Sequence, residues 1–130
     1  MRSTRILIID DEPDFTALLK ANLEEAGAFL VRQVNDSEQA LKAAKEFRPH
    51  LCIVDVVMPG MDGGDVVSQI RSEPSLAKVP VMMLTALVEE NPNSEDGETQ
   101  TGGLPFVSKT SDFETILACI EKHLEEGASS

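Results

Sequence analysis

The apolar residues of this chain change period, and they do so in alternation. Arg5 to Asp10, Leu51 to Asp55 and Val79 to Leu84 are dominated by short runs such as Ile6-Leu7-Ile8-Ile9. Unbroken apolar runs of this length are what strands buried on both faces show. Phe29 to Val34 reads as a second, partly exposed strand, and Pro105-Phe106-Val107 as a short last one. Between these runs the spacing becomes helical. Phe15, Leu18, Leu19, Asn22, Leu23 and Ala26 recur between Pro13, a good first-turn residue, and Gly27, a good stop. Ala40, Leu41, Ala44 and Phe47 follow a cap at Asp36 or Ser37 and end before Pro49. Val66, Val67 and Ile70 make a short helix that stops before Pro74. Phe113, Ile116, Leu117, Ile120 and Leu124 share a face after a cap at Ser111 or Asp112.

Strands alternating with helices predict an α/β fold, and right-handed crossovers make it a doubly wound five-stranded parallel sheet. Residues 1–126 are expected to form one domain, with 127–130 as a frayed tail or the start of a linker. One stretch breaks the rhythm. Glu89 to Gly103 contains no Val, Ile, Leu, Met or Phe, so a helix there would have no face to bury. A loop-like fourth helix is expected, with one turn of helix near Val88 to Asn91.

Charge narrows the function. Eleven Lys and Arg stand against 23 Asp and Glu, a net charge of −12. Nucleic acids are bound by neutralising phosphates with basic side chains, so nucleic acid and anionic lipid are poor partners for this chain. A cation or a positively charged protein surface suits it better. The longest apolar run is Ile116 to Ile120, whereas a membrane helix needs roughly 18 residues or more. Met1-Arg2-Ser3-Thr4 leads directly into the first strand without a signal-peptide pattern, so a cytoplasmic location is expected. Cys52 and Cys119 fit no metal spacing and read as reduced, buried thiols.

In doubly wound folds the working residues gather beyond the carboxyl ends of the strands. Here those positions are polar throughout: Asp10 and Asp11 after the first strand, Asp55 after the third, Thr85 after the fourth, Lys109 after the fifth. Three carboxylates at one sheet edge repel, and a hard cation relieves that repulsion. Oxygen-only ligands without His or Cys suit Mg²⁺, which keeps waters and leaves room for a phosphate. Lys109 and the Thr85 hydroxyl then hold phosphate oxygens, and Asp55 is the candidate nucleophile.

Ile8-Ile9-Asp10-Asp11-Glu12, the run Ile53-Val54-Asp55-Val56-Val57-Met58-Pro59-Gly60-Met61-Asp62-Gly63, Met83-Leu84-Thr85-Ala86 and Phe106-Val107-Ser108-Lys109 occur in that order. Together they resemble the receiver domain of two-component response regulators of the chemotaxis-regulator type, over about Arg5 to Leu124. The resemblance implies a flavodoxin-like (β/α)5 fold. It implies that Asp55 is the phosphoacceptor, charged by a histidine kinase or a phosphotransfer protein. It further implies that Asp10, Asp11, Asp55 and the backbone carbonyl of Val57 hold Mg²⁺, with Asp10 acting through water. Thr85 and Phe106 are the switch pair of the family, and Lys109 its phosphate-binding lysine. Such a domain catalyses only its own phosphorylation and dephosphorylation. It acts on an output domain or a downstream protein, and a monomer or weak homodimer is expected.

Three departures stand out. In relatives a proline follows the lysine and helps aim it, and Thr110 stands here. Val57 and Leu87 are apolar and cannot orient an attacking water, so slow loss of the phosphoryl group is expected. The apolar-free Glu89–Gly103 stretch falls where relatives carry part of their output and dimer face, so an altered face with weak hydrogen-exchange protection is expected there. The alternative is a receiver fold used as a docking or dimerisation module with weak or no phosphorylation. Phosphatases of the haloacid-dehalogenase type need an Asp-x-Asp pattern after the first strand, and flavodoxins a Ser/Thr/Gly phosphate loop. Asp10-Asp11-Glu12-Pro13 supplies neither.

Overall fold

A computed structural model describes residues 4–27, 29–56, 58, 62–85, 98–101, 104–109 and 111–128. Its strands are β1 (Thr4–Ile9), β2 (Phe29–Val34), β3 (Leu51–Asp55), β4 (Val81–Thr85), β5 (Glu98–Thr101) and β6 (Leu104–Ser108). Its helices are α1 (Pro13–Ala26), α2 (Ala40–Phe47), α3 (Gly63–Ser72) and α4 (Phe113–Ala128), with a 3₁₀ turn over Ser37–Gln39 before α2. The sheet order is β2-β1-β3-β4-β6-β5. Five of these strands pair in parallel, and β5 pairs antiparallel with β6. The expected five-stranded doubly wound parallel sheet is therefore present.

The alternation of side chains along each strand splits the core into two layers. Leu7, Ile9, Cys52, Val54, Val81 and Met83 face α2 and α3, where they meet Ala40, Ala44, Val66 and Ile70. Ile6, Ile8, Leu51, Ile53, Met82 and Leu84 face α1 and α4, where they meet Leu19, Leu23, Ile116 and Ile120. Ile6 to Ile9 are wholly buried, as expected of a strand covered on both sides. Cys52 and Cys119 are both buried, one in each layer, and form no disulfide.

Capping follows the sequence signals. Pro13 opens α1. Asp36 caps the 3₁₀ turn by accepting the Glu38 amide, Asp62 caps α3 through the Asp65 amide at 2.9 Å, and Asp112 accepts the Thr115 amide at 2.8 Å. Each side chain satisfies an amide left without a helical partner.

Three expectations are corrected. Leu18 and Ala26 do not face inward; Leu18 is 63% exposed, and α1 buries Thr16, Leu19 and Leu23 instead. Leu19 and Leu23, an i, i+4 pair, take the inner line with Thr16, and Leu18, about 100° around the helix from Leu19, falls on its outer side. Residues 98–101 are a strand rather than a loop. An edge strand needs no apolar face, because its backbone pairs on one side, Thr101 opposite Leu104 and Glu98 opposite Val107. Helix α4 runs on through Gly127 and Ala128, two residues into the expected tail. The suggested helical turn near Val88 to Asn91, and the remainder of Glu89–Gly103 outside 98–101, lie outside the described residues.

Candidate functional site

In a sheet whose parallel strands run β2-β1-β3-β4-β6, the chain leaves β1 and β3 toward opposite faces, and a crevice opens between their carboxyl ends. Asp10 follows β1 and Asp55 ends β3, one on each side of that crevice. Both are buried, at 1% and 5% exposure, while Asp11 is half-buried. One carboxylate oxygen from each of Asp10, Asp11 and Asp55 lies within 4.8 Å of the others. Lys109 follows β6 and reaches across to the same point. Its Nζ is 2.7 Å from Asp10 Oδ2, 2.5 Å from Glu12 Oε1 and 3.3 Å from Asp55 Oδ2. The ammonium also stands 4.9 Å from the centre of the Phe15 ring, within cation–π range.

Local structure fixes these positions. The Asp10 amide donates to the Val34 carbonyl at 3.0 Å, which ties the end of β1 to β2. Asp10 Oδ1 accepts the Glu12 amide at 2.9 Å. Asn35 Nδ2 donates to the Asp10 carbonyl at 2.8 Å and to Thr16 Oγ1 at 3.0 Å, and the Thr16 hydroxyl donates to the Pro13 carbonyl. The turn from β1 into α1 is thus braced from β2. On the other wall, the Val56 amide donates to the Leu84 carbonyl and the Gly63 amide to the Val56 carbonyl. Gly63 packs so tightly there that a Cβ would run into the Asp55 carbonyl oxygen and the Val56 Cα. Only glycine lets α3 start this close to the end of β3.

Burial dominates the ionisation of Asp10. It raises the carboxyl pKa above its ordinary value, against the opposing pull of Lys109 and the Glu12 amide. Burial likewise works against the Lys109 charge, yet the contacts with Asp10 and Glu12 and the charge of Asp55 more than offset it, so its pKa is raised. The lysine is held as a cation and the acids are crowded around it. Asp10 Oδ2 is buried with no aligned hydrogen-bond donor, although Lys109 lies beside it. A buried carboxylate oxygen in that condition is a ligand in waiting for a cation. The all-oxygen donor set fits a hard divalent ion.

Of the residues expected at the site, Asp10, Asp11, Asp55 and Lys109 converge. Thr85 is the last residue of β4, its Cα opposite Ser108 of β6. Phe106, also on β6, is half-buried and packs against the layer under α2 and α3. Val57, Leu87 and Thr110 lie outside the described residues. Glu12 and Phe15 also meet Lys109, and the sequence pattern assigns neither a role at the site. Their contact with Lys109 spans more than ninety residues, and only the Asp10-Asp11-Glu12 adjacency hints at it.

Fold and site together define a doubly wound α/β domain with a carboxylate–lysine cluster at the switch point of its sheet. The family model for the response regulator receiver domain matches residues 6–121, and the chain belongs to that family. It is 35% identical over 114 residues, 88% of its length, to the DNA-binding dual master transcriptional regulator RpaA of Synechocystis, of which those residues make up 46%. It is 41% identical over 86 residues, 66% of its length, to the alkaline phosphatase synthesis transcriptional regulatory protein PhoP of Bacillus subtilis, of which they make up 35%. The matched region thus spans less than half of either relative. Among solved structures it is similar to the chemotaxis protein CheY4 of Vibrio cholerae, with a TM-score of 0.78, 26% identity and coverage of 93% of this chain and 98% of that one. The receiver domain of the hybrid histidine kinase CckA gives 0.74, with 28% identity and coverage of 92% and 98%. Receiver domains are signalling modules of two-component systems, working with histidine kinases or phosphotransfer proteins, rather than classical enzymes. Among the described residues no helix is long and apolar enough to cross a membrane.

Proposed function

We propose that this domain is a phosphoacceptor switch in a two-component phosphorelay, with Asp55 as the residue that carries the phosphoryl group. The observation that carries the reading is Lys109 Nζ standing between Asp10 and Asp55 at the carboxyl edge of the sheet. An Asp55 carboxylate oxygen attacks phosphorus in line. The bond to the donor's imidazole nitrogen breaks, and the electron pair leaves with the imidazole, which regains a proton. Lys109 meets the phosphoryl oxygens as they arrive. Asp10, Asp11, Asp55 and the Val57 carbonyl are the ligands assigned to Mg²⁺, and the ion supplies neutralisation of the charge shared by carboxylates and phosphate.

The dianion on Asp55 then biases a two-state element. Thr85 is assigned the hydroxyl that binds a phosphoryl oxygen, and Phe106 the side chain that follows it. The apolar Val57 and Leu87 favour a long-lived acyl phosphate. A histidine kinase or phosphotransfer protein is the proposed donor, an output domain or downstream protein the proposed receiver of the signal, and the cytoplasm the proposed location. The protein is assigned as a monomer or weak homodimer.

Backbone NMR with Mg²⁺ and a beryllofluoride salt tests this reading. Shifts centred on Asp55, Thr85 and Phe106, absent in Asp55→Asn, are expected. Shifts that persist in Asp55→Asn, or no shifts in the wild type, would contradict it.

A further inference from the structure

The ammonium of Lys109 has three protons to donate, and three carboxylates surround it: Asp10 at 2.7 Å, Glu12 at 2.5 Å and Asp55 at 3.3 Å. Its hydrogen bonds go to Glu12 Oε1 and Asp55 Oδ2, and the charge of Asp10 presses on it from a third side. The three acids differ in kind. Asp10 and Asp55 have side chains only 2% and 6% exposed, while Glu12 is 61% exposed and reaches in from the first residue before α1. Glu12 is also the shortest contact. Its backbone is fixed independently, the amide on Asp10 Oδ1 and the carbonyl on the Thr16 amide at 3.1 Å. The side chain can therefore swing into solvent without moving the loop. Phe15 walls the other side of the ammonium, so the lysine stays seated when Glu12 lets go.

We propose that Glu12 is a positioning residue that occupies, on Lys109, the place an incoming phosphoryl oxygen needs, so that it must release the lysine before Asp55 can be charged. This rests on the phosphoacceptor reading and adds a residue to it. Glu12 keeps the lysine in place while the site is empty, and it lowers the affinity for any phosphoryl donor by competition and by like-charge repulsion. The exposed position of Glu12 limits the effect: roughly a two- to fivefold change is the scale of an exposed ion pair.

The test compares the wild type with Glu12→Gln and with Glu121→Gln, which removes the same charge at an exposed site on α4. Two readouts are needed. In the metal-free protein, proton exchange of the Lys109 ammonium is followed by ¹⁵N NMR, with faster exchange expected in Glu12→Gln only. With Mg²⁺ and acetyl phosphate, the concentration giving half-maximal phosphorylation rate should fall roughly two- to fivefold in Glu12→Gln, with the maximal rate little changed and Glu121→Gln like the wild type. Unchanged ammonium exchange, or an unchanged or raised half-saturating concentration, would overturn the proposal. An equal effect in Glu121→Gln would reduce it to net charge and overturn it as well. Absence of phosphorylation in all three proteins, with the exchange difference present, would instead count against Asp55 as phosphoacceptor, leaving the Glu12–Lys109 contact intact.

Discussion

Lys109 Nζ sits 2.7 Å from Asp10 Oδ2, joining the loop after β6 to the loop after β1 across the carboxyl edge of the sheet. Two strands, β3 and β4, lie between those loops in the sheet order. The ion pair closes the crevice from above and leaves the acidic cluster with a resident positive charge. Removing the lysine leaves buried carboxylates uncompensated, which costs about 3 kcal/mol or more. Lys109→Met is expected to lower the unfolding midpoint near neutral pH and to regain part of the loss in acid, where the carboxylates protonate. The wild-type lysine has a raised pKa, so its own contribution is complete below its ordinary value of 10.5 and fades only as pH climbs through the higher folded value. Urea titrations of both proteins across this range check the assignment; equal stabilities at pH 7 would sink it.

Asp10 pays for its place at the site in stability. Its pKa is raised by burial, so its share of stability is complete below the ordinary value of 3.8 and is lost as pH rises through the folded value. At neutral pH the charged form is a burden. Asp10→Asn is therefore expected to melt higher than the wild type without metal, and to lose the rise in melting temperature that Mg²⁺ gives the wild type. Calorimetry with and without Mg²⁺ measures both, and a lower metal-free midpoint for the variant would contradict the argument.

Gly63 is the steric hinge of the β3–α3 connection. Gly63→Ala forces its Cβ against the backbone at Asp55 and Val56. Overpacking of this kind costs typically about 1–3 kcal/mol, and here the strain falls beside the acceptor. A lower denaturation midpoint together with slower phosphorylation of Asp55 is expected. A variant with wild-type values for both would show that α3 moves away freely.

His50 lies at the opposite end of the sheet and gives an independent pH signal. Its Nδ1 accepts the Arg5 amide at 2.9 Å, which requires the neutral imidazole. Burial, and then the charge of Arg5, lower its pKa below 6.5. The unfolded chain binds the proton more readily, so stability is complete above pH 6.5 and falls as pH drops through the lower folded pKa. His50→Asn should flatten this part of the stability–pH curve. An unchanged slope between pH 7 and pH 5 would rule the histidine out.

Much of this was legible in the sequence because strand ends mark the site. The acids and the lysine follow apolar runs, and the order of those runs fixes the crevice. Strand β5 escapes the apolar pattern because Glu98-Thr99-Gln100-Thr101 carries no apolar residue. The signal was nevertheless there: two threonines, then Gly102-Gly103, then Leu104 is a two-residue hairpin pattern. Leu18 was misplaced because two adjacent leucines both fitted a helical count, and only packing against the sheet chose Leu19. The contacts of Glu12 and Phe15 with Lys109 depend on how α1 and the loop after β6 meet in space, which no local pattern encodes.

Phosphorylation of Asp55 is the claim on which the others depend. Intact-mass analysis after incubation with Mg²⁺ and acetyl phosphate tests it most directly. The account predicts a gain of one phosphoryl group in the wild type, none in Asp55→Asn, and a slow return to the starting mass after the donor is removed. A wild-type protein that gains no mass, or an Asp55→Asn variant that gains the same mass, would contradict it.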